Sequence, residues 1–251
     1  MENYTSQPVG DAFSAFFHFY GYSHLLIAGS ILSLILGILS LIVAVVLGLL
    51  SASARISDSR TLRVLSTIYT TFTRSIPDLI LLLLIYYGMQ AIINCTADIV
   101  LEWSHNSIDL QFRLDPFLSG IIALGLIFGA YMSETFRGAF QSVNAGQIEA
   151  AQAYGMSKWQ VFSRIRVPLM MRHALPGITN NWMVLSKTTA IVSLISLHDV
   201  VFYASEAGKS FHVPFRFFMP VAIFYLLIAM LSDVFLKWLE RRYNTGFRDA
   251  A

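Results

Sequence analysis

The sequence predicts an all-α protein integral to a membrane, with five spanning helices, its N-terminus outside and its C-terminus inside. Three observations carry this. Charged residues make up 13% of the chain and hydrophobic ones 56%, against about 25% charged in an ordinary soluble domain, and the mean hydropathy is +0.62. Residues 25–54, 79–97, 116–133 and 217–232 contain no charge at all, and a spanning helix needs about 20 such residues. Finally, Lys and Arg alternate between flanking segments. Segments 51–63, 141–173 and 237–251 hold eleven, while 1–24, 95–116 and 198–216 hold three. Basic residues are retained on the cytoplasmic side, and the alternation needs a fifth, weaker span at 174–198.

Along the chain, residues 1–23 form a periplasmic or interfacial segment. Its run "DAFSAFFHFYGY" reads either as a short helix with its rings among the headgroups or as an overhang of the first span. Spans follow at 25–51, 64–94, 116–141, 174–198 and 216–238. A cytoplasmic loop occupies 144–168 and a short tail 248–251. The outer segment 98–115 is acidic, with Asp98, Glu102, Asp109 and Asp115 against Arg113; it is a solvated loop or a face that attracts cations. No linker or repeat divides 24–247, which reads as one domain. No Lys or Arg precedes Arg55, so the start lacks the basic region of a cleaved signal peptide.

The loop "EAAQAYGMSKWQ" (149–160) is polar, Ala-rich and built as a helical hairpin. Asn144 with Gln147 fits an N-cap and a reciprocal side chain. Gly155 suits a left-handed position after the first helix. Ser157 with Gln160 repeats the capping pattern for a second helix. Ala150, Ala151 and Ala153 leave the first helix open to close approach, and Trp159, Val161, Phe162 and Ile165 give the second an apolar side. The pattern fits a docking element for another protein, or a plain connector.

Charges inside spans are costly and mark function by default. Glu134 lies in the inner half of the third span, one turn before Arg137; the two either pair structurally or meet a solute. Asp78 follows Pro77, which interrupts the second span; it either lines a cavity for an ammonium or guanidinium or caps the restarted helix. The fourth span is interrupted by Pro176, Gly177, Asn180, Asn181 and Lys187 and is predicted to be a broken helix that exposes backbone to a zwitterion's ends. Lys187 meets a carboxylate, pairs with Glu134 or snorkels. Tyr131 and Thr188 add hydrogen bonds. At about 4 Å and an effective dielectric near 20, a carboxylate and a guanidinium attract by about 4 kcal/mol before desolvation, enough to favour cationic solutes as a class.

The single cysteine, Cys95, forms no internal disulfide. His18, His24, His105, His173, His198 and His212 lack metal-ligand spacing. No H-E-x-x-H, G-x-S-x-G or G-x-x-x-x-G-K-[ST] is present, which argues against an intramembrane enzyme and means that, if transport is ATP-driven, another polypeptide binds the nucleotide. A stand-alone secondary carrier would share the buried charges, but needs no capped cytoplasmic hairpin, and no inverted repeat is visible.

The stretch "EAAQAYGMSKWQVFSRIRVP" resembles the EAA loop of the membrane permease subunits of ABC importers. The matching residues are Glu149, Ala150, Ala151, Gly155, Ile165 and Pro168; Val167 stands where the family usually has Leu. "TRSIPDLILLLLIYYGMQ" (73–90), "GAYMSETFRGAFQSVNAGQIEAA" (129–151) and "RHALPGITNNWMVLSKTTAIVSLISLHDV" (172–200) resemble the polar-amino-acid branch, most of all Q-type permease subunits of histidine/lysine/arginine/ornithine transporters. The resemblance covers about 24–247. It implies a type I importer permease in a bacterial inner (cytoplasmic) membrane. It further implies a heterodimer with a second homologous permease and a dimer of cytoplasmic ABC ATPases, each receiving one EAA loop. A periplasmic binding protein would deliver a basic or polar L-amino acid or, alternatively, an opine. ATP and Mg would sit on the ATPases, with no cofactor in this chain and no nucleic-acid partner.

Overall fold

The computed structural model describes residues 21–103 and 113–244. Most of the 1–23 segment, His18, His105, Asp109 and the 248–251 tail lie outside the described residues. Among those described, the structure is helical with no strand. The order is α1 (Ser23–Arg55), α2 (Arg60–Ser75), α3 (Asp78–Trp103), α4 (Pro116–Gln141), α5 (Ala145–Ala153), α6 (Lys158–Gln160), a π turn (Val161–Arg166), α7 (Val167–Thr188), a 3-10 segment (Thr189–Ile195), α8 (Val200–Ser210) and α9 (Pro214–Asn244).

Helix α4 is the centre of the fold. Asp115 caps it by accepting from the N–H groups of Phe117 and Leu118, and Pro116 occupies its first turn, where a missing N–H costs nothing. Its Leu124, Ile127, Phe128, Met132 and Phe136 are buried. The long α1 packs along it through small residues: Ser40, Ala44, Gly48 and Ala52 are all buried. In a bilayer, helices associate by close packing rather than by a hydrophobic difference from lipid, so small residues are placed where backbones meet. At Gly48 a Cβ would lie 2.5 Å from Met132 Cβ. At Gly29 it would lie 2.6 Å from the backbone nitrogen of Val200, so α8 seats directly on α1.

The predicted second span is two helices. Ile76 is extended, at φ −104° and ψ 137°, because the Pro77 ring disfavours helical geometry in the residue before it. Helix α2 is also turned inside out. Its buried face is Ser66, Thr70 and Thr73, whereas Leu62, Leu65, Ile68 and Phe72 are exposed. That is the pattern of a helix whose outer face meets lipid or another apolar chain and whose polar groups must be satisfied within the protein. They are: Ser51 and Ser66 hydroxyls lie 2.6 Å apart, Ser133 donates to Ser51 at 2.9 Å, and Tyr69 donates to the Leu126 carbonyl at 2.6 Å.

The fourth apolar unit bends elsewhere than predicted. Pro176 lies inside an uninterrupted α7. Gly177 serves packing instead: a Cβ there would lie 2.5 Å from Thr135 Cγ2, so α7 presses on α4. The helix departs from α geometry only at Thr189–Ile195, and Ser196 then takes a left-handed φ of 66°. Asp199, fully buried, starts α8 by accepting from Phe202 N–H at 2.9 Å and receives the Ser33 hydroxyl of α1 at 3.4 Å.

Four helical stretches are long and apolar enough to cross a membrane: Ser23–Arg55, Asp78–Ile99, Pro116–Gln141 and Pro214–Arg242. A fifth crossing arises if Lys158–Ile195 and Val200–Ser210, which meet at 55°, count as one bent span.

The close α1–α4 approach sets an expectation. Gly48→Leu should destabilise the detergent-solubilised protein by about 1–3 kcal/mol or more through overpacking, seen as a lower thermal midpoint. Gly88→Ala, with nothing within 4 Å of the added carbon, should leave the midpoint unchanged or raise it, since Ala holds a helix better than Gly by about 0.5–1 kcal/mol.

Candidate functional site: a capped loop and a ring of arginines

The polar loop between α4 and α7 is rigidly built. Asn144 caps α5 by accepting from Gly146 N–H at 2.8 Å, one residue earlier than the predicted partnership with Gln147. Gly155 has φ 80°. Its N–H reaches the Gln152 carbonyl at 2.9 Å and the Met156 N–H reaches the Ala151 carbonyl at 3.2 Å, the paired bonds of a Schellman ending. Ser157 and Gln160 form a full capping box. The second helix then differs from the predicted short hairpin arm. It does not stop near Pro168 but runs through the π turn into α7; the widened turn, with the Val167 N–H on the Phe162 carbonyl, directly precedes the proline, whose ring removes one bond of the ordinary ladder.

Ala151 and Val161 turn inward and are buried, and Ile165 is half-buried. The Arg166 guanidinium lies 5.3 Å from the Phe140 ring centroid, tying the loop to the end of α4. Glu149, Ala150 and Pro168 face outward. So do three aromatic rings: Tyr154 is 89% exposed, Trp159 73% and Phe162 39%, the last two stacked at 5.9 Å. The apolar side predicted for 159–165 is therefore divided, with Val161 and Ile165 anchoring the loop and Trp159 and Phe162 presented outward.

About two turns above the loop, Glu134 gathers three arginines. Arg137 donates to Oε2 through Nε at 2.9 Å and approaches through a terminal nitrogen at 2.8 Å. Arg55, from the end of α1, donates to Oε1 and also to Thr70 Oγ1 at 3.1 Å. Arg74, from the end of α2, stands at 3.7 Å from Oε1. The Glu134–Arg137 pairing expected from their spacing is present. Arg55 and Arg74 were not anticipated as partners, since helix spacing reveals only neighbours on the same helix.

The other predicted residues divide into two groups. Tyr131 donates to Asp78 Oδ1 at 3.4 Å, and the Arg74 guanidinium lies 5.6 Å from the Tyr131 ring centroid. Asn181 is buried and donates to Thr135 Oγ1 at 3.0 Å. Asn180 and Lys187 are exposed, and Lys187 makes no ion pair among the described residues, with Glu134 or any other group. Thr188 donates back to the Val184 carbonyl at 2.9 Å. Asp199 was missed as a buried polar group; its place just before an apolar run, in "LHDVVFY", is the N-cap signal that would have found it. No group of three metal-ligating side chains occurs among the described residues.

The geometry defines a multi-helix membrane protein with a rigid, doubly capped loop presented outward. The chain belongs to the family described as binding-protein-dependent transport system inner membrane component, which matches residues 44–245. It is a multi-pass inner-membrane permease subunit of the polar-amino-acid ABC importers, and ATP hydrolysis falls to partner subunits. It is 46% identical over 231 residues to the histidine/lysine/arginine/ornithine transport system permease protein HisQ of Salmonella typhimurium, covering 92% of this chain and 98% of that protein. It is 35% identical over 206 residues to the octopine transport system permease protein OccQ of Rhizobium meliloti, covering 82% and 84%. Among solved structures, one titled "Crystal structure of an amino acid ABC transporter with histidines" matches with a TM-score of 0.74 and 27% identity, covering 90% of this chain and 98% of that one.

Glu134→Gln should leave its arginines without a counter-charge. The expected loss of stability is about 2 kcal/mol, below the 3–5 kcal/mol of a fully buried broken pair because the site is partly open. Thermal unfolding of the purified complex measures it, and Arg55→Gln should cost less than Glu134→Gln.

Proposed function

We propose that the chain is one membrane-spanning half of an ATP-driven importer that carries basic or polar L-amino acids, of the arginine, lysine, histidine and ornithine class, from periplasm to cytoplasm. It spans five times, N-terminus outside and C-terminus inside, within one domain over 24–247. A second, homologous permease pairs with it in the bilayer, two ATPase subunits carrying ATP and Mg sit beneath, and a periplasmic binding protein delivers the solute. Glu149, Ala150, Ala151, Gly155, Ile165 and Pro168 belong to the coupling loop. Asp78, Tyr131, Glu134, Asn180, Asn181, Lys187 and Thr188 line the solute path.

One observation carries this reading: the doubly capped turn at Gly155, which presents Tyr154 and Trp159 outward from a loop joined to both α4 and α7. Closure of the ATPases against such a loop displaces two helices as rigid bodies and opens the path to alternate sides. The identity to the histidine/lysine/arginine/ornithine permease supports basic amino acids. The octopine permease relative favours an opine as the second reading, because an opine retains cationic and carboxylate groups. A stand-alone carrier fits poorly with membership of a binding-protein-dependent family.

Uptake by proteoliposomes containing the whole complex tests the proposal. Transport of labelled arginine or lysine should require both internal ATP and the binding protein; uptake without ATP would refute it. Gly155→Val should separate coupling from assembly. A left-handed conformation costs an ordinary L-residue about 1–2 kcal/mol, and a β-branched one resists it most. The complex should still assemble, while solute-stimulated ATP hydrolysis falls several-fold. Asp78→Asn should impair uptake of cationic amino acids more than that of neutral ones; equal loss for both would remove Asp78 from solute recognition.

A further inference from the structure

The ring of arginines is unbalanced. Glu134 brings one negative charge to three guanidiniums, and both its oxygens are already taken: Oε2 by Arg137 at 2.8 and 2.9 Å and Oε1 by Arg55. Arg74 is left at 3.7 Å, beyond hydrogen-bond length. It is also the most exposed member, 44% against 19% for Arg55 and 32% for Arg137. A guanidinium offers five donors in a planar fork suited to a carboxylate. Arg137 and Arg55 spend theirs on Glu134, Gln141 and Thr70. Arg74 keeps its fork open, stacked against the Tyr131 ring at 5.6 Å.

The same ring defines a second pole. The Tyr131 hydroxyl donates to Asp78 at 3.4 Å, and Asp78 is half-buried with no cation within ion-pair distance among the described residues. Tyr131 thus has over its face a guanidinium held only loosely by Glu134, and at its hydroxyl a carboxylate with no cation partner among the described residues. Arg74 closes α2 and Asp78 opens α3, on either side of the extended Ile76–Pro77 break. The break lets two charges four residues apart serve one ring from different helices.

Resting on the proposed amino-acid solute, the geometry points to Arg74 as the residue that holds the solute's carboxylate, with Asp78 holding its cationic end across Tyr131. A zwitterion or cationic amino acid satisfies both poles at once. It also supplies the anion that the surplus arginine lacks, so that charged groups are paired where water is scarce. The pairing of a cationic with an anionic pole then selects against solutes that lack a carboxylate, however well their cationic end fits.

The test is equilibrium binding of labelled L-arginine to the whole permease–ATPase complex in nanodiscs, without binding protein, with agmatine (arginine lacking its carboxylate) as competitor. The wild-type complex should prefer arginine to agmatine by about tenfold or more, since a charge-assisted bidentate contact is worth at least one such factor. Arg74→Gln should reduce arginine affinity to near that of agmatine and leave agmatine affinity unchanged. Arg74→Lys, which keeps the charge but not the fork, should recover part of the preference; if Arg74→Gln does not assemble, that partial recovery decides. Equal weakening of both ligands, or an unchanged preference, overturns the assignment while leaving the importer reading intact. Failure of the wild-type complex to bind any basic amino acid overturns the solute reading, and the assignment with it.

Discussion

Polar groups buried in this fold depend on partners inside the protein, and the buried Ser40 and Ser119 hydroxyls are exceptions among the described residues. The bilayer offers no water to hydrogen-bond a buried hydroxyl or charge, and the architecture follows from that constraint. Helix α2 turns Ser66, Thr70 and Thr73 inward and its leucine and phenylalanine side chains outward. Ser66 meets Ser51 and Thr70 meets Arg55, and Ser51 in turn accepts from Ser133 of α4, which knits α1, α2 and α4 into one block. The Glu134 hub completes it, since one carboxylate reaches arginines on the same three helices. Small residues make the approach close enough for such short bonds, as at Gly48 against Met132.

The block joins the coupling loop without slack. Glu134 lies seven residues before the end of α4 at Gln141, about 10 Å along the helix. Three residues later α5 begins. On the far side, the chain from the Ser157 cap to Thr188 is continuously helical. A force applied to Trp159 therefore meets no break in the helix before it reaches the membrane, and one applied to Tyr154 crosses only the short 142–144 turn to reach α4. It moves α4 and α7 together, and these two already press on each other where Gly177 meets Thr135. The hub would be strained by any relative motion of α1, α2 and α4, so the three travel as one unit and opening must occur across other surfaces. Helices α3 and α9 present exposed leucine, isoleucine and phenylalanine side chains over much of their length.

The helical membrane class, the capped loop and the Glu134–Arg137 pair were legible in the sequence because each rests on local rules. Charge-free runs report apolar helices, Gly and Ser–x–x–Gln report caps, and a three-residue spacing reports a shared helix face. What escaped reading is nonlocal. Arg55 counted only as a cytoplasmic flanking charge, yet it folds back onto Glu134. The two prolines behave differently. Pro77 does break its helix, but at a point that divides an inside-out amphipathic helix from an apolar one. Pro176 does not break its own, because α7 is held against α4 through Gly177 and Asn181, and tertiary packing outweighs one missing hydrogen bond.

The break that the sequence placed among residues 176–187 occurs at 189–196, and Asp199 explains why it is tolerated there. A 3-10 segment followed by a left-handed residue leaves backbone groups and a new helix start in need of partners. Asp199 supplies the cap, its backbone and that of Val200 sit against Gly29 where no larger side chain fits, and Ser33 donates to its carboxylate. The small residues of α1 thus do two jobs. Toward the inner end they admit α4 and bring Arg55 to Glu134; toward the start of the helix they admit the turn before α8 and bring Ser33 to Asp199. One long helix carries a carboxylate contact near each end, one with charge and one with a hydroxyl. A change in α1 that shifts its register by a single turn would break both at once, which makes α1 the element against which the rest of the subunit is indexed.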